Sequence, residues 1–230
     1  MKQINKKVEP NSLLQHRTKQ HSTFDNIPFD IKEELRQNLL SEQGYICCYC
    51  MKRIPEKVER DGKVYYEMKV EHFKPQDPDT FPELQLIYSN LLGVCIGNEG
   101  KPKKLQTCDT KKGNLELNIN PTSNHINCES LFKYNAEGEI SSIKDDAEIN
   151  RQLNDILNLN MQTLKEGRSE IYLEIQERIR VESRRFIKNK TGFIRILEQE
   201  RIKWLNRIDN KYRPYCMVAV YYLTKKIRQA

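Results

Sequence analysis

Two clusters in this sequence combine residue types that could bind a metal ion or carry out acid–base chemistry. The first cluster is the Cys-x-x-Cys pair of Cys47 and Cys50. Such a pair places two thiolates on one tight turn, at a spacing that suits the tetrahedral coordination of zinc. The same motif also occurs in redox sites of the thioredoxin kind, so a second pair of ligands is needed to favour zinc.

Cys95 and Cys108 could supply the second pair of zinc ligands. Their spacing of 13 residues is wider than a tight turn, and residues 97–107 between them contain two glycines, one proline and three lysines. This composition is typical of an inserted loop. The alternative is that Cys95 is only a small buried apolar side chain. We predict a structural zinc ion that is held by Cys47, Cys50, Cys95 and Cys108.

The second cluster is Glu71-His72, which follows a predicted strand over residues 64–70 and precedes Pro75. A neutral imidazole can accept a proton from water near a phosphate, and a carboxylate can hold a hard divalent ion such as Mg²⁺. Because neighbouring residues of a strand point to opposite faces, one side chain can bind a metal ion while the other faces water. A lone histidine is more often structural than catalytic, so this interpretation depends on the surrounding motifs.

Length, charge and cysteine content restrict the class of protein. A chain of 230 residues allows one large domain or two small domains. The net charge of +7 favours a polyanionic partner such as nucleic acid or an anionic membrane face. We expect no transmembrane helix and no secretory signal, because the sequence has no run of about 18 apolar residues and no apolar stretch after its basic start. The expected compartment is the cytoplasm, where seven cysteines indicate metal binding and not disulfides.

The elements that must position these clusters follow from apolar periodicity and turn residues. Residues 1–30 are polar and predict an extended arm or a loosely packed segment. A helix is predicted to begin after Asp30, which would be its N-cap, and to end at Gly44. Residues 133–143 predict a small hairpin that turns at residues 136–138.

Beyond residue 144 the sequence predicts a helical region. Acidic residues at 145–148 open a helix, and apolar residues at helical spacing continue it over residues 149–164 and on to residue 186. Further helices are predicted over residues 194–208 and 215–227. The predicted fold class is therefore α+β. Its three parts are an N-terminal arm and helix (residues 1–44), a cysteine-rich core with a small hairpin (residues 45–143) and a helical region (residues 144–230).

The order of the motifs is more specific than any one of them. The chain gives the Cys-x-x-Cys pair, Glu-His-Phe-x-Pro from Glu71, Tyr-Ser-Asn-Leu-Leu at residues 88–92, then Cys95, and finally Cys-Asp-Thr-Lys-Lys-Gly from Cys108. This ordered set resembles the HNH endonuclease family, in the subset with a zinc clamp around a ββα-metal motif. The resemblance covers residues 45–121, about a third of the chain. It implies a zinc-clamped ββα-metal core between the N-terminal helix and the helical region.

The resemblance also implies a role for each matching residue. His72 would be the general base that activates water, Glu71 a metal ligand, and Asn90 the asparagine that orders the loop and supports the histidine. Asp109 stands where the family usually has histidine or asparagine and would complete the metal site. Because both ligands would be carboxylates, this difference favours Mg²⁺ or Mn²⁺ over Zn²⁺ at a single-ion catalytic site. Lys112 matches a basic residue of the family and would contact nucleic-acid phosphate.

The sequence around the core motif is similar to a narrower group of HNH proteins. Residues 39–50 and 120–140 resemble the nuclease subunit of the Septu anti-phage system (PtuB-like proteins), which also occurs with some retrons. That resemblance implies an ATPase subunit (PtuA-like) as partner, a hetero-oligomer, and a role in bacterial defence. It also implies a nucleic-acid substrate, for which DNA is preferred over RNA, and no membrane partner.

Other interpretations remain open at the level of sequence. The chain could be a non-catalytic, zinc-stabilised nucleic-acid-binding module, which the missing third histidine or asparagine would favour. It could also be a scaffold subunit whose cysteines are merely buried. A basic run in the helical region predicts either a phosphate-contacting face or, more often, a solvated helix face. The members of this run are Arg178, Arg180, Arg184, Arg185, Lys188 and Lys190.

Overall fold

The computed structural model describes residues 1–77 and 79–230. The α-helices within these residues are α1 (Asn11–Arg17), α2 (Phe29–Gln43), α3 (Cys108–Lys112), α4 (Ala147–Arg151), α5 (Gln162–Arg185), α6 (Lys190–Leu205) and α7 (Cys216–Gln229). The strands are β1 (Val58–Arg60), β2 (Lys63–Tyr65), β3 (Met68–His72), β4 (Leu91–Cys95), β5 (Phe132–Tyr134) and β6 (Ile140–Ser142). This mixture of helices and small sheets is consistent with the predicted α+β class.

The strands of the described residues form three antiparallel pairs, β1–β2, β3–β4 and β5–β6. Strands β3 and β4 pair so that Glu71 lies opposite Leu92 and His72 lies opposite Leu91. Helix α3 follows β4 along the chain, so a two-stranded sheet and a short helix carry the residues singled out above. The predicted hairpin is confirmed, because β5 and β6 pair around a turn in which Gly138 has a φ of +78°.

The strand predicted over residues 64–70 is wrong as a single element. Its first part, β2, pairs with β1 in a largely exposed hairpin, whereas its second part, β3, pairs with β4. The two parts belong to different sheets, so the strand is interrupted at residues 66–67. A run of β-branched and aromatic residues favours extended backbone throughout, but it does not reveal that two partners divide the run.

The N-terminal segment is not the loose arm that its polar composition predicts. The side chains of Met1, Ile4 and Leu13 are buried in the core, and the Ile4 amide donates a hydrogen bond to the Pro121 carbonyl oxygen at 2.8 Å. These three apolar side chains suffice to fix the segment, although Val8 and Leu14 are exposed. The predicted N-cap is also wrong, since α2 begins at Phe29 and Asp30 lies inside its first turn.

The C-terminal end of α2 agrees with the sequence, whereas the following long helix does not. Gly44 ends α2 in the left-handed conformation, with a φ of +61°. The helix predicted over residues 149–164 is interrupted, because α4 passes into a π-helical turn (Gln152–Ile156) and α5 begins only at Gln162. In the interruption, Asn158 has a φ of +49° and its side-chain amide donates hydrogen bonds to the carbonyl oxygens of Lys104 (3.1 Å) and Gln106 (2.9 Å).

Buried apolar residues from all three segments form one hydrophobic cluster. Helix α7 is buried along much of its first two turns and packs against α5, α6 and β5. Helices α6 and α7 correspond to the predictions for residues 194–208 and 215–227. None of the helices within residues 1–77 and 79–230 has both the length and the apolar composition needed to cross a bilayer.

One buried side chain of α2 connects this helix to the sheet that carries Glu71 and His72. The Gln43 side-chain amide accepts a hydrogen bond from the Gly93 amide and donates one to the Gly93 carbonyl oxygen, both at 2.7 Å. A Cβ at position 93 would lie 2.8 Å from the Met68 side chain and 3.2 Å from the Gln43 amide nitrogen. Glycine therefore permits this close approach of helix and strand.

We expect Gln43→Leu to lower the free energy of unfolding by about 2 kcal/mol, because a buried backbone amide of β4 loses its acceptor. Denaturant titration of the purified chain measures this change. Gln37→Leu is the matched control, since Gln37 lies on the same helix, is only half-buried and makes one long hydrogen bond, to Glu33 at 3.3 Å. Equal stability losses in the two variants would contradict the role given to Gln43.

Candidate metal and catalytic site

Strands β3 and β4 and helix α3 bring the predicted site residues to one region. Glu71 and His72 are the last two residues of β3, and Asp109 and Lys112 lie on α3. These four side chains line a shallow cleft of about 200 Å³ together with Val70, Pro75, Gln76, Gly113 and Asn114. The four predicted zinc ligands lie in a separate buried cluster that includes Cys108, the first residue of α3.

The buried cluster consists of Cys47, Cys50, Cys95 and Cys108, whose sulfur atoms all lie within 4.8 Å of one another. The Sγ–Sγ distance is 3.8 Å between Cys47 and Cys108, between Cys50 and Cys95, and between Cys95 and Cys108. Four thiolates at Zn–S distances of about 2.3 Å in a tetrahedron would lie about 3.8 Å apart. These distances are far too long for disulfides. The cluster therefore has the donors and the spacing that could bind one zinc ion.

The local backbone explains why Cys47 and Cys50 face the same point. The Cys47 amide donates to the Lys52 carbonyl oxygen at 2.9 Å, and the Met51 amide donates to the Cys47 carbonyl oxygen at 3.1 Å. Met51 has a φ of +63°, which reverses the chain within one turn. The Lys52 amide then donates to the Cys50 sulfur at 3.5 Å. A tight turn of this kind is the form in which Cys-x-x-Cys pairs bind zinc.

The long segment between Cys95 and Cys108 closes on itself. The Thr107 amide donates to the Gly97 carbonyl oxygen at 2.9 Å, and the Thr110 hydroxyl donates to the Ile96 carbonyl oxygen at 3.0 Å. A Cβ at position 97 would lie 2.2 Å from the Thr107 carbonyl oxygen, so only glycine fits where the two ends meet. Residues 97–107 thus form the predicted loop, its ends are fixed, and both flanking cysteines remain in the cluster.

The thiols differ in their readiness to ionise. Burial opposes ionisation of Cys47, but hydrogen bonds from the neighbouring thiols outweigh this effect, so the pKa of Cys47 lies well below its ordinary value. Burial raises the pKa of Cys128 to about 11 and that of Cys216 to about 11. These two cysteines lie outside the cluster and remain protonated at neutral pH. Within the cluster, the neighbouring thiols raise the pKa of Cys50 and Cys108 well above their ordinary values, so Cys47 is the thiol that ionises first and a metal ion would have to displace the protons of the others.

Glu71 lies at the centre of the buried end of the cleft, with only 2% of its surface exposed. Its Oε1 accepts hydrogen bonds from the Tyr49 hydroxyl at 2.7 Å and the Lys112 ammonium at 2.9 Å. Burial, together with a hydrogen bond shared with the Asp109 carboxyl, raises the pKa of Glu71 well above its usual range. Sequence reasoning missed Tyr49, whose place inside the Cys-x-x-Cys turn was the only signal for it.

Asp109 lies beside Glu71 and forms an ion pair with Lys69, whose ammonium is 2.7 Å from its carboxylate. Burial opposes ionisation of Asp109, but hydrogen bonds with Glu71 and Lys69 outweigh it and lower the pKa of Asp109. Sequence reasoning also missed Lys69. A signal was present, because residues two apart on a strand share a face and Lys69 stands two before Glu71.

His72 is nearly buried and its ring is held from two sides. Its Nε2 lies 3.0 Å from the Gln85 carbonyl oxygen, and the Phe24 ring meets it edge-on with 4.5 Å between the ring centroids. Because a carbonyl oxygen can only accept, Nε2 carries the hydrogen and Nδ1 is left as the basic nitrogen. Burial lowers the pKa of His72 and favours the neutral imidazole. Neither Phe24 nor Gln85 could be chosen from the sequence, since both are distant along the chain.

Asn90 fixes the loop between the two strands. Its side-chain oxygen accepts from the Lys74 amide at 2.8 Å, and its side-chain nitrogen donates to the carbonyl oxygens of Lys74 at 3.0 Å and Leu84 at 3.2 Å. The Asn90 carbonyl oxygen also accepts from the Phe73 amide at 2.9 Å. These contacts order the chain directly after His72. A catalytic role for Asn90 stays a prediction, and the geometry assigns it to positioning.

Lys112 is placed differently from a surface lysine that is free to contact phosphate. Its side chain is 1% exposed, and its ammonium is bound by Glu71 at 2.9 Å and by the His72 carbonyl oxygen at 3.1 Å. An ammonium group is buried only where anionic or carbonyl partners offset the loss of water, and both are supplied here. The phosphate contact that the resemblance implied therefore requires this ammonium to leave Glu71.

The carboxyl groups of Glu71 and Asp109 match the donor chemistry of a hard divalent cation. Both line the cleft and each influences the pKa of the other, and oxygen donors of this kind suit Mg²⁺ or Mn²⁺. Both are also neutralised by lysines, Glu71 by Lys112 and Asp109 by Lys69. A divalent ion would therefore compete with two ammonium groups for the same oxygens.

Known proteins resemble part of this chain. A scan against models of known protein families gives no match. One curated relative is the proposed HNH endonuclease of retron Vc95 from Vibrio cholerae serotype O1 biovar El Tor, with 35% identity over 112 residues, which are 48% of this chain and 48% of the relative. Another is the proposed HNH endonuclease of retron Ec83 from Escherichia coli, with 31% identity over an alignment of 129 residues that covers 50% of this chain and 47% of the relative. The chain thus spans about half the length of these relatives.

We expect the purified chain to contain about one zinc ion, and Cys50→Ser to lose it and to unfold at a lower temperature, because binding energy at a structural zinc site contributes to folding. Elemental analysis and thermal unfolding measure the two effects. Cys128→Ser is the matched control, since this thiol is equally buried but lies outside the cluster. A Cys50→Ser protein that keeps both its zinc and its stability would contradict the four-cysteine site.

We expect Lys112→Met to lower the free energy of unfolding by about 3 kcal/mol or more, because it leaves the buried Glu71 carboxyl without its cation. Lys74→Met is the control, since Lys74 pairs with Glu116 on the surface and such pairs contribute less than about 1 kcal/mol. Denaturant titration at neutral pH compares the two variants. An effect of Lys112→Met no larger than that of Lys74→Met would show that the buried ion pair is not what holds α3 against β3.

Proposed function

We propose that this chain is an HNH endonuclease, which hydrolyses phosphodiester bonds with His72 as general base and one divalent ion held by Glu71 and Asp109. The observation that carries the proposal is the neutral, oriented imidazole of His72 beside a pair of carboxyl groups at one end of an open cleft. The names of the two retron relatives support it independently, because both are proposed HNH endonucleases.

The residues of the chain account for the proton-transfer part of this reaction. The Gln85 carbonyl oxygen and the Phe24 ring hold the imidazole plane, and Nδ1 of His72 is the nitrogen that accepts a proton from the attacking water. Asn90 keeps the chain after His72 in place, so the base does not move away from the cleft. A bound Mg²⁺ or Mn²⁺ would polarise the scissile phosphate and stabilise the leaving oxygen.

The substrate and the biological setting are part of the same proposal. A basic chain with a metal-dependent hydrolytic cleft suits nucleic acid, and we propose DNA before RNA as the substrate. Because the relatives are retron proteins and the sequence resembles the Septu nuclease subunit, we also propose that the chain acts in bacterial defence. An ATPase subunit would then be its partner in a hetero-oligomer.

One observation favours a second candidate, a zinc-stabilised nucleic-acid-binding module without catalysis. Lys69 and Lys112 neutralise the two carboxyl groups that the nuclease would use for its divalent ion. If those ion pairs persist, no metal ion is bound at the cleft and His72 is dispensable. Divalent-ion binding therefore discriminates between the two functions even when the chain is studied without a partner.

We expect His72→Ala to reduce Mg²⁺- or Mn²⁺-dependent cleavage of DNA by roughly 100-fold or more, because a positioned general base contributes about 10²–10⁴ to the rate. Cleavage of a labelled duplex, with the full chain and any ATPase subunit with which it purifies, measures the loss. The zinc content of the variant should equal that of the unaltered protein, since the zinc cluster does not include His72. Its unfolding temperature should be lower but still above the assay temperature, because the substitution removes one nearly buried ring.

His125→Ala is the control for this variant, because His125 is exposed and does not line the cleft. Titration with Mn²⁺ alone adds an independent measurement, and Asp109→Asn should abolish the binding seen in the unaltered chain. Cleavage by a folded His72→Ala protein at the normal rate would exclude the proposed mechanism. The absence of any Mn²⁺ binding by the unaltered protein would favour the non-catalytic module.

A further inference from the structure

Four lysines near the cleft differ from the other basic residues around them. Lys101, Lys103 and Lys104 are exposed on the inserted loop of residues 97–107, and Lys111 is half-buried on α3. Within residues 1–77 and 79–230 none of the four forms an ion pair with an acidic side chain. The acidic residues next to the loop are already engaged, Glu99 and Asp109 by Lys69 and Glu71 by Lys112. The loop therefore carries a local positive charge that the protein does not neutralise.

The basic run at the end of α5, which the sequence offered as a phosphate-contacting face, is different. Arg178 approaches Glu182 at 3.6 Å, Arg180 pairs with Glu177 at 2.6 Å, and Arg185 pairs with Glu182 at 3.2 Å. Half of that run is thus neutralised on its own helix. Arg184, Lys188 and Lys190 remain exposed at the turn between α5 and α6.

The loop is held in a defined shape although its lysines are exposed. The Asn98 side chain donates to the Leu105 carbonyl oxygen, and the Gln106 side chain donates to the Lys101 carbonyl oxygen, both at 2.8 Å. From outside the loop, Asn158 donates to the carbonyl oxygens of Lys104 and Gln106. A loop whose backbone is already ordered loses little conformational freedom when its side chains bind a partner.

The loop also lies against the elements that carry the cleft. The Lys111 ammonium is 3.4 Å from the Lys103 carbonyl oxygen, and Lys69 on β3 approaches Glu99 at 3.6 Å while it pairs with Asp109. Lys69 therefore contacts both an acidic residue of the loop, Glu99, and a carboxyl group of the cleft, Asp109. A polyanion in contact with the loop would extend toward the cleft.

We propose that the inserted loop, with Lys101, Lys103, Lys104 and Lys111, is the surface that binds the phosphodiester backbone of the nucleic acid. The proposal rests on the proposed function for the identity of the polyanion. Each lysine contacts a phosphate as a point charge and releases condensed counterions, so binding through the loop is sequence-independent and weakens steeply with salt. The bound backbone would then contact α3 at Lys111, the helix whose Asp109 and Lys112 line the cleft together with His72.

The test measures how nucleic-acid affinity depends on salt, in a His72→Ala background so that the probe is not cut. The probes are a labelled 20-base-pair DNA duplex and one of its single strands, with fluorescence anisotropy as the readout. The loop variant is Lys101→Gln, Lys103→Gln and Lys104→Gln combined. We expect the slope of log Kd against log salt to fall by about 2 to 3 on the duplex and by about 2 on the single strand, and Kd at 0.1 M salt to rise roughly tenfold.

Arg184→Gln, Lys188→Gln and Lys190→Gln combined form the control, because this variant removes the same charge from exposed positions that form no ion pair within the part of the chain that the structure describes. It should change the slope by less than about 1. Equal losses in both triple variants, an unchanged slope in the loop variant, or an unaltered protein that does not bind either probe would overturn the proposal. If the unaltered chain never cleaves nucleic acid but the loop variant alone loses binding, the proposed nuclease activity is wrong and the proposed binding surface is supported.

Discussion

The convergence of four buried thiols at the first residue of α3 is the constraint on which the rest of the site depends. Cys108 is a member of the cysteine cluster and directly precedes Asp109, so whatever fixes its sulfur also fixes the helix that carries Asp109 and Lys112. The backbone at Cys108 has a φ of +55°, which costs a residue other than glycine about 1 kcal/mol or more. A zinc ion on the cluster would supply the energy that holds this conformation.

The second constraint on the site is the pairing of its two carboxyl groups with two lysines. Lys112, Glu71, Asp109 and Lys69 form a chain of polar contacts in which two neighbouring carboxyl groups lie between two ammonium groups. A buried ion pair such as Glu71–Lys112 gains little net stability over apolar packing, because the loss of hydration offsets most of the attraction. Its value lies in selecting one arrangement of β3 against α3, since any other arrangement strands a buried charge. A divalent ion that binds Asp109 and Glu71 must also displace Lys69 and Lys112 from their carboxyl groups.

Local features of the site were predictable from the sequence, and contacts between distant segments were not. The Cys-x-x-Cys turn, the glycine at the end of α2 and the β5–β6 hairpin follow from residues within a few positions of each other, and the structure has all three. Phe24 and Gln85, which hold the His72 ring, come from segments with no periodicity or motif that connects them to β3. The interruption at Asn158 was missed for the same reason, because its hydrogen bonds go to a loop about fifty residues earlier.

The inserted loop shows how a cluster of distant ligands can tolerate extra residues between them. Closing a longer loop costs little additional entropy, about 0.6 kcal/mol for each doubling of its length. The insertion here offsets even that cost with hydrogen bonds between its ends, where Gly97 meets Thr107. The exposed lysines of this loop make no contact with Cys95 or Cys108, so their charge does not disturb the cluster. The loop is fixed at its ends, lies next to α3 and leaves its lysines exposed to solvent. It can therefore carry positive charge that the packed core could not accept.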